Sequence, residues 1–128
     1  LRAAEELGNG IKAVVPLTPY CCELGQSFEG DLNGVSTPTL IIATAGDTIA
    51  PPETHARLLY DAINSSTDKV YLEFAEGTHG LPTNQGSDLQ TQGTYVYAFL
   101  KANFTSDSKY VDFISGDGED SFSTYETN

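Results

Sequence analysis

The 128-residue sequence has no tryptophan, no methionine, only 2 cysteines, and 6 Lys plus Arg against 18 Asp plus Glu. A formal charge of −12 repels phosphate and anionic lipid, which makes nucleic acids and membrane surfaces poor partners. No stretch approaches the roughly 18–20 uninterrupted apolar residues of a membrane-spanning helix. There is no Gly-rich phosphate loop, no CxxC and no Cys/His spacing of a zinc site, so no metal or nucleotide is expected. No internal repeat is visible. The lack of methionine, and a start at Leu1-Arg2-Ala3-Ala4-Glu5-Glu6 that is neither initiator nor signal peptide, lead to the expectation that this is a piece of a longer chain. What is present is ordinary for a globular domain: 39% hydrophobic residues, 10% aromatics, 12 Gly and 6 Pro, with no low-complexity bias.

Cys21 and Cys22 are adjacent. Consecutive Cα atoms lie about 3.8 Å apart, below the usual disulfide range of roughly 4.4–6.8 Å, so a bond between them is strained. Two small apolar thiols, or one cysteine bonded to a partner elsewhere, are the favoured readings, and the pair does not reveal the redox compartment.

Residues 1–8 read as the end of a helix stopped at Gly8-Asn9-Gly10, and Ile11 to Leu17 as a short strand. Residues 18–37, rich in Gly, Ser, Thr and acids, suit a surface loop. Pro38 to Ala45 is continuously apolar, the pattern of a strand covered on both faces in a parallel sheet. Pro51-Pro52 opens a helix whose face carries His55, Leu58, Leu59, Ala62 and Ile63. Val70, Leu72 and Phe74 alternate as in a half-buried strand. A Gly-rich loop from Glu76 to Ser87 holds His79, and a helix follows over roughly 88–103, with Val96, Phe99, Leu100 and Asn103 on one side. In the acidic remainder only Tyr110 to Ile114 resembles a strand, and residues 115–128 are expected to be a loose tail. Asp117-Gly118-Glu119-Asp120 lacks the spacing of a calcium loop.

Helices alternating with strands predict an α/β fold with a parallel sheet, whose working residues lie past the carboxyl ends of strands. That rule selects Asp47, His79 and the segment Thr18-Pro19-Tyr20. An acid and then a histidine on the loops after successive parallel strands is the latter part of the α/β-hydrolase order nucleophile, acid, histidine. A serine hydroxyl is a weak nucleophile, so a histidine must take its proton and a carboxylate must hold that histidine's tautomer. An Asp in this place can equally be a turn former, and a His in a Gly-rich loop can be merely solvated. The nucleophile's G-x-S-x-G is absent from the chain, and none of Ser27, Ser36, Ser65, Ser66 or Ser87 lies on a strand-to-helix turn.

Three segments, IKAVVPLTPY at 11–20, PTLIIATAGDTIAP at 38–51 and EGTHGLPTN at 76–84, closely resemble the bacterial cutinase-like polyester hydrolases, which include poly(ethylene terephthalate) hydrolases. The resemblance covers roughly residues 1–114 and implies the C-terminal half of an α/β-hydrolase domain. By it, Asp47 is the triad acid, His79 the general base, Tyr20 the aromatic residue at the cleft where relatives usually carry Trp, and Ile49 an apolar cleft residue. It implies a secreted serine esterase that acts on polyesters and short acyl esters, monomeric at full length, with no metal or organic cofactor. The nucleophilic serine would lie upstream of Leu1, and the chain alone would be inactive. The chain departs from the family in having no cysteine pair near its C-terminus, in a longer loop from Cys21 to Asn33, and in Gly80 after the base. Another α/β-hydrolase, of dienelactone hydrolase or lipase-like type, and a non-catalytic fragment remain as alternatives.

Overall fold

The structure, a computed structural model, describes residues 1–22, 32–80, 87–105 and 107–128. The elements run α1 (Arg2–Leu7), β1 (Thr39–Thr44), α2 (Ala56–Ala62), β2 (Lys69–Phe74), α3 (Ser87–Thr105), α4 (Ser108–Ile114) and β3 (Phe122–Thr127). Single 3-10 turns at Gly8–Gly10 and Pro52–Thr54 follow α1 and precede α2.

Strand β1 pairs with β2 in parallel, Thr39 opposite Lys69 through Thr44 opposite Phe74. Every residue of β1 is buried, as its unbroken apolar run requires. Its alternate side chains enter two cores. Leu40 and Ile42 join Val70, Leu72, Phe74, Tyr95, Ala98, Phe99 and Ile114 beneath α3 and α4. Ile41 and Ala43 face the other way, with Leu32, Val35, Ala56, Leu59, Tyr60, Ile63 and Tyr71 against α2. Each Val, Leu, Ile or Phe side chain so withdrawn from water contributes roughly 1.5–3 kcal/mol before entropy is counted, so the two cores lock β1 in place and with it the loop at its end. The α/β fold class is therefore met, as a three-stranded mixed sheet covered by helices.

Several local expectations are corrected. The segment over 11–17 is not a regular strand; it touches β1 through isolated parallel bridges at Val14–Thr39 and Leu17–Ile42. Within the expected surface loop over 18–37, Leu32 and Val35 are buried in the α2-side core; residues 23–31, and with them most of the longer loop, lie outside the described residues. Tyr110 to Ile114 forms helix α4 instead of a strand, because the Asp107 side chain accepts the Lys109 backbone N–H at 3.1 Å and caps the first turn. Helix α3 buries Gln92, Tyr95, Ala98 and Phe99, a face rotated from the expected one.

The acidic end is not loose throughout. Phe122–Thr127 adds β3 antiparallel to β2, with Phe122 and Tyr125 packed against Tyr95 and Arg57 Nη1 2.6 Å from Glu126 Oε1. The acids suggest solvation, but the aromatic residues among them carry the packing, and composition alone does not separate the two.

Candidate functional site

Asp47 lies three residues past β1 and His79 five past β2, at the same edge of the sheet. Because β1 and β2 run in parallel, both chains leave the sheet on that side, and residues 32 apart in sequence meet. His79 Nδ1 is 2.7 Å from Asp47 Oδ2. Asp47 is 3% exposed, while the His79 side chain is 34% exposed, so a buried carboxylate holds an imidazole that solvent can reach.

The other carboxylate oxygen, Oδ1, accepts the backbone N–H groups of Ile49 at 2.9 Å and Ala50 at 2.8 Å. Burial pushes the Asp47 carboxyl up, but the bonds from Ala50, His79 and Ile49 and the charge of His79 outweigh it, and the group titrates below its ordinary value. An anion is thereby kept ready in a desolvated place. The D-T-I-A-P segment accomplishes this locally: the turn after Asp47 folds its own amides back onto the carboxylate.

Three contacts fix the two loops to one another. Thr44 Oγ1 donates to the Glu76 carbonyl at 2.9 Å, and the Ala45 N–H donates to the Phe74 carbonyl at 2.9 Å. A Cβ on Gly46 would strike the Gly77 carbonyl oxygen, so this crossing admits only glycine. From the third side, Thr18 donates its hydroxyl to the His79 carbonyl at 3.3 Å and its N–H to the Ile42 carbonyl at 2.8 Å. Thr18 does so at φ 41°, a left-handed conformation that a β-branched residue adopts at a cost of about 1–3 kcal/mol. The sequence points to Thr18 only as part of the segment Thr18-Pro19-Tyr20 and to neither Thr44 nor Gly46; the positive φ and the glycine crossing are products of tertiary contact.

Tyr20 and Ile49 are 51% and 59% exposed, large apolar surfaces on the loops that follow Leu17 and Asp47. Tyr20 stacks on the buried His55 ring, with centroids 4.4 Å apart and planes 27° from parallel. Cys21 and Cys22 are joined as a disulfide, contrary to the expectation of separate thiols, with Cα atoms 3.8 Å apart. The segment 81–84 of the resemblance lies outside the described residues. Among the described residues no helix is long and apolar enough to cross a membrane.

A family model described as PET hydrolase-like (PETase) matches residues 1–128. The chain belongs to this family. Among curated proteins it is 41% identical over 106 residues to a protein named cutinase est1 of Thermobifida alba, a match that covers 81% of this chain and 32% of that one. It is 38% identical over 104 residues to a protein of Streptomyces coelicolor named bis(hydroxyethyl) terephthalate hydrolase, covering 81% and 31%, and equally to a cutinase of Thermobifida fusca, covering 81% and 32%. The chain thus spans about a third of the length of these curated relatives.

Proposed function

We propose that the protein is a carboxylic ester hydrolase of the polyester type, in which Asp47 and His79 are the acid and base of a Ser-His-Asp triad. The 2.7 Å pair of a buried, amide-bound carboxylate and an accessible imidazole is the observation that carries this reading. With Nδ1 committed to Asp47, Nε2 is the nitrogen left to take the proton of a serine hydroxyl, and the carboxylate stabilises the imidazolium that results. The serine then attacks the ester carbonyl, backbone N–H groups hold the oxyanion, and water hydrolyses the acyl-enzyme. We assign the nucleophile and the oxyanion donors to the part of the hydrolase domain outside these 128 residues, since no G-x-S-x-G occurs within them.

Relatives named as cutinases and as a bis(hydroxyethyl) terephthalate hydrolase support cutin-like or terephthalate polyesters and short acyl esters as substrates. The exposed faces of Tyr20 and Ile49 are the side chains assigned to contact them. The hydrolysis itself uses no metal or organic cofactor, and the partner is the ester alone, with neither nucleic acid nor membrane, for a monomeric secreted enzyme. The test is hydrolysis of a p-nitrophenyl acyl ester and of a terephthalate ester by the full-length protein and by its His79→Ala variant. A loss of about 10³-fold or more is expected for the variant, and retained turnover overturns the assignment. The 128-residue chain alone is expected to be inactive. Turnover by it that depends on His79 would place the nucleophile within the chain.

A further inference from the structure

Cys21, Cys22 and His55 form a second cluster that the esterase chemistry does not use. Each offers one ligand atom, and the three atoms lie within 4.8 Å of one another. Cys21 Sγ is 3.7 Å from His55 Nδ1. A tetrahedral zinc ion, with Zn–S about 2.3 Å and Zn–N about 2.0 Å, separates its sulfur and nitrogen ligands by about 3.6 Å. The Cys21–His55 pair already has that spacing, and the two sulfurs, bonded to one another here, move apart on reduction.

The imidazole is also in the required form. The Cys21 backbone N–H donates to His55 Nδ1 at 3.4 Å, which places a lone pair on that nitrogen and the ring proton on Nε2; a cation bound at Nδ1 takes the place of this long hydrogen bond. His55 is 1% exposed and sandwiched under Tyr20, so its ring cannot swing away from the cysteines. Among the described residues the ring's polar contacts are with Cys21 alone, and the buried Nε2 has no hydrogen-bond partner.

We propose that, once the Cys21–Cys22 bond is reduced, Cys21 Sγ, Cys22 Sγ and His55 Nδ1 bind one zinc-class divalent cation, leaving a fourth position for water. Reduction by a phosphine supplies two electrons to the sulfurs; the phosphine becomes its oxide with oxygen from water, and the two water protons make two thiols. The cation then takes both sulfurs as thiolates and releases those two protons to solvent. The disulfide and the cation are therefore mutually exclusive occupants, and the site is redox-gated. Two thiolates and one imidazole favour zinc or another thiophilic ion over magnesium or calcium.

The full chain, reduced anaerobically with a phosphine and freed of excess reductant, is titrated with Co²⁺ as the zinc probe and then with Zn²⁺. One equivalent of cobalt with a thiolate-to-metal charge-transfer band, displaced by zinc and absent from the oxidised chain, is the expected result. Cys21→Ser, Cys22→Ser and His55→Gln should each weaken binding at least tenfold. No band in the reduced chain, equal binding by the oxidised chain, or unchanged affinity in His55→Gln overturns the site. Should His55→Gln fail to fold, the nitrogen resonances of the parent decide. Zinc must shift His55 Nδ1, and an unshifted His55 with a shifted His79 overturns the proposal.

Discussion

The backbone of Gly46 lies so close to the carbonyl oxygen of Gly77 that a single added methyl group would collide with it. The loops that carry Asp47 and His79 are thus in direct backbone contact, and the hydrogen bond between those two side chains rests on that crossing.

Gly46→Ala is expected to destabilise the fold by about 1–3 kcal/mol, since the obstacle is backbone and cannot rotate aside. It should also lower ester turnover of the full-length protein by displacing His79. Urea denaturation and steady-state kinetics measure the two; parental stability in the Gly46→Ala variant would show that the loops can separate freely.

Asp47→Asn should reduce kcat of the full-length esterase by on the order of 10⁴ with little change in KM, because the amide can hold the imidazole in the wrong tautomer. Kinetics on a soluble acyl ester check this. A loss below tenfold would remove Asp47 from the triad.

The depressed titration of Asp47 has a consequence for acid stability. Its folded-state value lies below the ordinary 3.8, so the unfolded chain holds the proton more tightly. The stabilisation is fully present above the ordinary value and is lost as pH falls through the folded one. The parent should therefore lose its advantage over Asp47→Asn on acidification below 3.8, a difference readable from denaturant midpoints. A constant gap across that range would contradict the carboxylate's role as a buried anion.

Removal of residues 115–128 should cost more than about 2 kcal/mol and promote association. Phe122 and Tyr125 leave their edge-on contacts with Tyr95, and β2 is left with an unpaired edge. A loose tail would be removed without effect on the thermal midpoint.

Arg57→Ala should cost no more than about 1 kcal/mol, and less in high salt, although its guanidinium reaches both Asp61 and Glu126. The Arg57 side chain is 34% exposed and that of Glu126 41%, so water screens the pair. A larger loss would mean that this bridge, more than the aromatic packing, anchors β3.

Much of the fold was legible because it follows from local pattern. The apolar run Leu40 to Ala43 demanded burial on both faces, and the alternation at Val70, Leu72 and Phe74 marked a strand. Two parallel strands in succession then required that Asp47 and His79 leave the sheet on one side, whatever their neighbours. Contacts between distant segments have no such local signature. Whether Phe122 and Tyr125 dock depends on Tyr95, and whether Tyr110 lies in a helix depends on a cap at Asp107. Thr18 reaches His79 only through a left-handed backbone. Cys21 and His55 meet across 34 residues, Cys21 Sγ lying 3.7 Å from His55 Nδ1 just past the Pro52–Thr54 turn. Periodicity and chain order are properties of a segment, whereas these pairings are selected by the packing energy of the folded whole.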